Sequence, residues 1–332
     1  MPSGLFFIFL YRESFLLRFL LFSVPLKSIT ASCLKGNPMV VRPALIICLT
    51  VLTTLMSAAE LAAAPTEAEF RTILNISGRQ RMLSQKMSKE ALLIGAGIDI
   101  KDNQRLLEDT RYLFEISMSG LIHGDDSLGL PMNEYPPIVD RLVAVGELYQ
   151  KMQPVLARAL QMPHLGTGDL RALAAQNVTI LDEMDAAVLM FEEEARAVLI
   201  PDPDRARQIN LAGKQRMLTQ RMTKEALLVF FGVDVEGFDN RQSLLDNAGL
   251  FTRTLAGLRD GDAGLDLAGT DDPVIRAQLE RVSQLWIEAR PVIEYIARPD
   301  TLVLLPDLQK LDRLGLALLE ESDRVVSLFE EE

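Results

Sequence analysis

The sequence predicts an all-α fold of two tandem up-down four-helix bundles, and three observations carry that prediction. The segment Asn75-Ile-Ser-Gly-Arg-Gln-Arg-Met-Leu-Ser-Gln-Lys-Met-Ser-Lys-Glu-Ala-Leu-Leu93 returns 135 positions later as Asn210-Leu-Ala-Gly-Lys-Gln-Arg-Met-Leu-Thr-Gln-Arg-Met-Thr-Lys-Glu-Ala-Leu-Leu228, with 13 of 19 positions identical. Apolar residues recur at helical spacing, as in Leu106, Leu107, Leu113, Phe114 and Leu121, and no stretch alternates for long. Gly- and Pro-containing breaks then cut each copy into four such runs. A repeat of roughly 130 residues is a whole domain rather than a solenoid module.

In the first copy the helical runs are 67–96, 102–122, 134–160 and 169–199. The second copy gives 204–231, 239–258, 273–297 and 305–330. Weaker matches keep the two in register: Leu113-Phe114 with Leu250-Phe251, Gly124-Asp125 with Gly261-Asp262, Tyr149 with Trp286, Pro154 with Pro291. Both copies end on Phe-Glu-Glu-Glu, at Phe191 and Phe329. Four amphipathic helices with short loops specify an up-down bundle. The divisions are 1–64 as extension and signal peptide, 65–200 as bundle one and 204–332 as bundle two. Pro201 and Pro203 end one helix, and Asp204 suits the N-cap of the next.

Residues 1–64 read as an address. After Met39 comes one positive charge (Arg42), an apolar run from Ala44 to Leu55, and small residues through Ala59 and Ala64. That order describes a secretory signal peptide cut between Ala59 and Ala64, with translation starting at Met39. A membrane anchor in residues 5–26 is the competing reading, made costly by Arg12, Glu13 and Arg18 inside the run. Cys33 and Cys48 both fall in this leader, which leaves the remainder without disulfides or thiolate metal sites. The formal net charge is −12, and the leader's five basic and two acidic residues leave −15 on the rest. A chain so acidic does not bind nucleic acid through bulk charge. The expected product is a soluble periplasmic protein.

The repeated segment is chemically unusual. On a helical wheel Ile73, Ile76, Leu83, Met87, Ala91 and Ile94 form one apolar face. Around Arg81, on the other side, lie Leu74, Ser77, Gly78, Ser84, Gln85, Ser88 and Leu92. Copy two repeats this as Ala212, Gly213, Arg216, Thr219, Gln220, Thr223 and Leu227. A solvated face would be rich in Glu and Lys, whereas small hydroxylated residues suit the close approach of a second helix. They also suit a small anion, because guanidinium is a planar fork of donors matching an oxyanion or carboxylate. Arg81 and Arg216 as interface arginines paired with glutamates are the plainer structural reading.

These motifs, Ser77-Gly-Arg-Gln-Arg-Met-Leu-Ser-Gln-Lys-Met and Ala212-Gly-Lys-Gln-Arg-Met-Leu-Thr-Gln-Arg-Met, resemble the PilJ-type domain, the N-terminal module of type IV pilus chemotaxis transducers. They are also similar to the periplasmic domains of nitrate- and nitrite-responsive kinases. That resemblance implies a four-helix bundle binding nitrate at a dimer axis through the arginine of a Gly-x-x-Arg-Met motif, here Gly78 to Met82 and Gly213 to Met217. It covers both copies and is specific over the signature helix. The expected ligand contacts are Arg81, Arg216, Gly78 and Gly213, with Ser77, Ser84, Gln85, Thr219 and Gln220 around them. Such a module is a homodimer without cofactor or bound metal, and acts through a separate membrane receptor or pilus component. The rival is an adaptor whose small polar face packs on a partner helix.

No nucleophile elbow, phosphate loop or zincin motif is present, and His123 and His164 lack partners at metal spacing. The sequence therefore reads as non-enzymatic. Glu192–Glu194 and Glu330–Glu332 read as solvated helix ends.

Overall fold

The computed structural model describes residues 65–162, 164–198, 204–233 and 238–331. The leader and the break at Pro201 and Pro203 lie outside the described residues. The first repeat supplies α1 (Glu67–Gly95), α2 (Ile100–His123), α3 (Pro136–Gln161) and α4 (Thr167–Val198). The second supplies α5 (Asp204–Phe231), α6 (Asn240–Asp260), α7 (Pro273–Ala297) and α8 (Leu305–Glu331). Within each repeat, consecutive helices pack as neighbours and the first also packs on the fourth, which closes an up-down bundle.

Local chemistry sets the ends. Thr66 and Glu69 form a reciprocal capping box that starts α1. Asp239 and Asp272 accept backbone N–H groups at the starts of α6 and α7. The third helix begins at Pro136 rather than at 134, because prolines suit a first turn whose N–H groups have no helical partner. Gly124 (φ 79°) and Gly261 (φ 89°) close α2 and α6 in matching turns, each followed by an antiparallel bridge, Asp125 to Leu130 and Asp262 to Leu267. A Cβ on Gly124 would lie 2.8 Å from the Met132 amide nitrogen, so only glycine fits.

Each bundle is centred on the same aromatic pair. Phe114 and Tyr149 stack with ring centroids 4.8 Å apart, and Phe251 and Trp286 at 4.3 Å. Their polar tips find partners: Tyr149 donates to Glu115 at 2.6 Å, and Trp286 Nε1 donates to Thr252 at 3.0 Å. Burial, then the adjacent Glu115 carboxylate, pushes the Tyr149 phenol up to about 12.

The two repeats meet through α1 and α5, the most extensive helix pair in the described chain. These helices run parallel. Gly78 faces Gly213 before the midpoints of their helices, Lys224 reaches Gln85 farther along, and Gly95 approaches the Phe231 ring at the C-terminal ends. The repeats are thus related by a pseudo-twofold axis along the seam. This explains why α1 and α5 are buried on nearly every side while α2 and α8 bury one stripe each. One face fills the helix's own bundle, and the small polar face meets its copy.

Replacing Phe114 or Phe251 with Ala should cost roughly 3–5 kcal/mol in either bundle. Thermal or denaturant melts would show equal losses if the two cores are equivalent.

Candidate ligand site at the repeat interface

Side chains on a helix lean toward its N-terminus, so the Arg81 and Arg216 guanidiniums lie back beside the glycines one turn earlier. An ideal Cβ on Gly78 would sit 3.4 Å from Arg81 Nη2 and 3.7 Å from Arg216 Nη2. Gly213 repeats those distances with the arginines exchanged, and its Cβ position is 3.9 Å from Gly78 Cα. Two cations from two repeats therefore converge on one point of the axis, both only 1% exposed.

Their partners are not glutamates. Arg81 Nη1 donates to Asp185 at 2.7 Å, and Arg216 Nη1 donates to Asp323 at 2.7 Å. Each aspartate lies on the fourth helix of the arginine's own repeat, six residues before the terminal Phe of Phe-Glu-Glu-Glu. The remaining contacts cross the seam. Arg81 Nη2 donates to Asn210 Oδ1 at 2.7 Å and to its carbonyl at 3.2 Å. Arg216 donates to Asn75 Oδ1 at 2.9 Å and to its carbonyl at 3.1 Å. Both asparagine amides donate onward, Asn210 to Glu192 and Asn75 to Glu330. The first glutamate of each acidic tail is thereby engaged rather than simply solvated. Three donors of each guanidinium are engaged in these contacts, and the Nε of each is buried without a partner.

Burial pushes the Asp185 carboxyl up, but the positive charges of Arg81 and Lys214 outweigh it and hold the carboxyl below its ordinary value. For Arg216 burial prevails over Asp323 and pulls the guanidinium down. Asp185 is 32% exposed and Asp323 is 57% exposed, so each buried arginine is paired with an aspartate that touches solvent.

The sequence-predicted residues divide into two layers. Arg81, Arg216, Gly78 and Gly213 come together at the axis, and Ser77 is buried beside them with its hydroxyl donating to the Leu74 carbonyl at 3.3 Å. Ser84 and Thr219 instead donate to the backbone carbonyls of Arg81 and Arg216, at 2.8 Å each. Gln85 and Gln220 donate to those hydroxyls, at 3.3 and 3.0 Å. Gln85 also accepts from Lys224 at 2.9 Å, which ties it to a lysine layer about two turns beyond the arginines.

That layer breaks the symmetry. Lys89 of the first repeat crosses to Asp312 on α8 at 2.7 Å. Lys224 crosses to Asn177 Oδ1 on α4 at 2.8 Å and to Gln85 Oε1 on α1 at 2.9 Å, both neutral. By repeat register, Asp312 matches Ala174 and Asn177 matches Gly315. Burial pulls the Lys224 ammonium down to about 8, opposed by Glu225 and reinforced by Arg221. Sequence reading missed these lysines and Asn75 and Asn210, although all four are identical between the copies.

The lysine asymmetry makes stability depend on pH. Between about pH 8 and the unfolded lysine value of 10.5, the unfolded chain binds the proton and the folded chain does not. The Lys224 contribution to folding stability therefore rises with pH across that window and is least favourable below it. The stability of the wild type relative to Lys224→Met should rise with pH between about 8 and 10.5 and stay level below that window, as measured by denaturant melts at stepped pH. At the axis, Gly213→Leu should displace both guanidiniums and cost more than 1 kcal/mol, the usual scale for overpacking.

The profile described as type IV pili methyl-accepting chemotaxis transducer N-term matches residues 71–176 and 204–311, once in each repeat. Methyl-accepting chemotaxis protein McpN of Pseudomonas aeruginosa is 32% identical over 121 residues, which is 36% of this chain and 21% of that protein. Protein PilJ of the same organism is 22% identical over 265 residues, covering 76% of this chain and 36% of that protein. The chain thus spans about a fifth and about a third of these relatives. No described helix is long and apolar enough to cross a membrane. With both repeats matched and both built as the bundles described above, the chain belongs to the PilJ family of chemotaxis-transducer N-terminal domains.

Proposed function

We propose that this chain is an exported, non-enzymatic sensor module that binds one small oxyanion, nitrate or nitrite first, between Arg81 and Arg216, and signals through a separate membrane receptor or pilus component. Family membership supplies the sensing or signalling role. The observation that carries the ligand reading is the convergence of two buried guanidiniums on one glycine-lined point, each with an unpartnered Nε. A planar monovalent anion matches two facing forks of donors, and the buried setting strengthens each contact. The fused repeats place both arginines in one chain, so the ligand stoichiometry is one per monomer. The small polar faces that would pair in a homodimer are already occupied by each other.

A second reading rests on the aspartate and asparagine contacts. These already engage both arginines, and an adaptor needs them only to join the repeats.

Calorimetry with sodium nitrate, sodium nitrite and small carboxylates separates the readings. The sensor predicts binding by the wild type and a loss of roughly tenfold or more in an Arg81→Ala/Arg216→Ala variant that stays folded, since a charge-assisted hydrogen bond contributes about 1.5–3 kcal/mol. Absence of heat and of thermal stabilisation at millimolar anion, in a folded wild type, would leave the adaptor.

A further inference from the structure

Asn75 and Asn210 occupy positions that an anion would contest. Each lies one turn before a crossing glycine and offers its side-chain oxygen and its own carbonyl to the arginine of the other repeat. Neither side chain is free to turn, because its amide group donates to a carboxylate, Glu330 for Asn75 and Glu192 for Asn210. A reversed amide would set oxygen against carboxylate. The fixed orientation presents a neutral oxygen to guanidinium donors, a geometry one oxygen of a trigonal anion would reproduce.

We propose that Asn75 and Asn210 form an internal latch: surrogate acceptors that hold the arginines across the seam and are displaced when an oxyanion binds. This rests on the anion reading above and adds how that site is regulated. The chemistry favours exchange in one direction. An anion brings a full opposite charge to the guanidinium as well as an acceptor oxygen, so it outcompetes a neutral amide oxygen. An aspartate at the same position would hold the arginine against a monovalent ligand. The Arg81–Asp185 and Arg216–Asp323 pairs use the fourth helices and need not break.

The exchange also supplies a mechanical output. Asn210 ties α5 to Glu192 of α4, and Asn75 ties α1 to Glu330 of α8. With the latch closed, each arginine connects one signature helix through the opposing asparagine to a fourth helix of the chain. Releasing the asparagines breaks the arginine links across the seam, while the asparagine–glutamate contacts, the Lys224–Gln85 bond and the packing of α1 on α5 remain. Ligand occupancy is thereby converted into a change in the coupling of α1 and α5 near the ends where α4 and α8 finish.

The test is calorimetric titration of nitrate and nitrite into the whole protein. It is paired with amide exchange over 75–81 and 210–216. Asn75→Ala/Asn210→Ala should bind the anion more tightly, on the order of threefold to tenfold, since the competitor is gone. Exchange in this variant should be faster without ligand. Asn75→Asp combined with Glu330→Gln, which returns a donor to the new carboxylate, should bind at least tenfold more weakly on the same scale. Opposite shifts in the two variants support the latch, and they remain informative if the alanine variant folds poorly. Weaker binding by the alanine variant, or equal binding by all three proteins, would overturn the latch and make the asparagines positioning residues or bystanders. No binding by the wild type would overturn the anion reading itself.

Discussion

The close crossing of α1 and α5 at Gly78 and Gly213 sets where both bundles and the arginines between them must sit. With 3.9 Å between the Cβ position of one glycine and the Cα of the other, a single Cβ there would already touch the guanidiniums, and a long side chain would have to move them. That closeness draws both arginines out of water, and a buried charge requires partners. The aspartates of α4 and α8 and the asparagines across the seam meet that requirement. The same approach turns two bundles into one body: residues 65–332 form a single compact unit. Two repeats that could each have formed half of a symmetric dimer are instead halves of one chain.

Fusion permits what a homodimer cannot. In a symmetric pair every substitution appears twice, so a lysine and its acceptor are identical on both sides of the axis. Here α8 carries Asp312 and Gly315 where α4 carries Ala174 and Asn177. Lys89 consequently has a carboxylate partner, and Lys224 has two amide oxygens. Gly315 also leaves room for Thr223, whose hydroxyl would lie 3.0 Å from a Cβ there. The arginine layer keeps matching contacts in both repeats, while the lysine layer does not.

Much of this was legible in the sequence, for local reasons. Capping residues, glycine turns and helical periodicity are short-range signals, and they placed all eight helices within a few residues of the observed ends. The duplication pointed to Arg81, Arg216 and the two glycines because those positions recur identically. The aspartate partners were harder to read, since Asp185 lies 104 residues from Arg81 and Asp323 lies 107 from Arg216. Only the bundle brings them together. Ser84, Gln85, Thr219 and Gln220 share the arginine's face on a helical wheel, but a wheel omits the N-terminal lean of long side chains. That lean moves the guanidiniums about a turn away and brings the Lys224 ammonium back to Gln85. Glu192 shows the converse: a charge run at a helix end looks solvated until a second repeat covers its first residue.

If the two signature helices face each other within one chain, a disulfide can be formed across their crossing. Residues 65–332 contain no cysteine, so Gly78→Cys/Gly213→Cys, with Cys33 and Cys48 changed to Ser, leaves one pair. A disulfide needs Cβ atoms about 3.5–4.5 Å apart, a spacing the crossing glycines approach. Mild oxidation at low protein concentration, followed by non-reducing gel electrophoresis and peptide mass mapping, should give an intrachain 78–213 bond in a monomer. Free thiols after oxidation, or bonds formed only between two chains, would contradict the account.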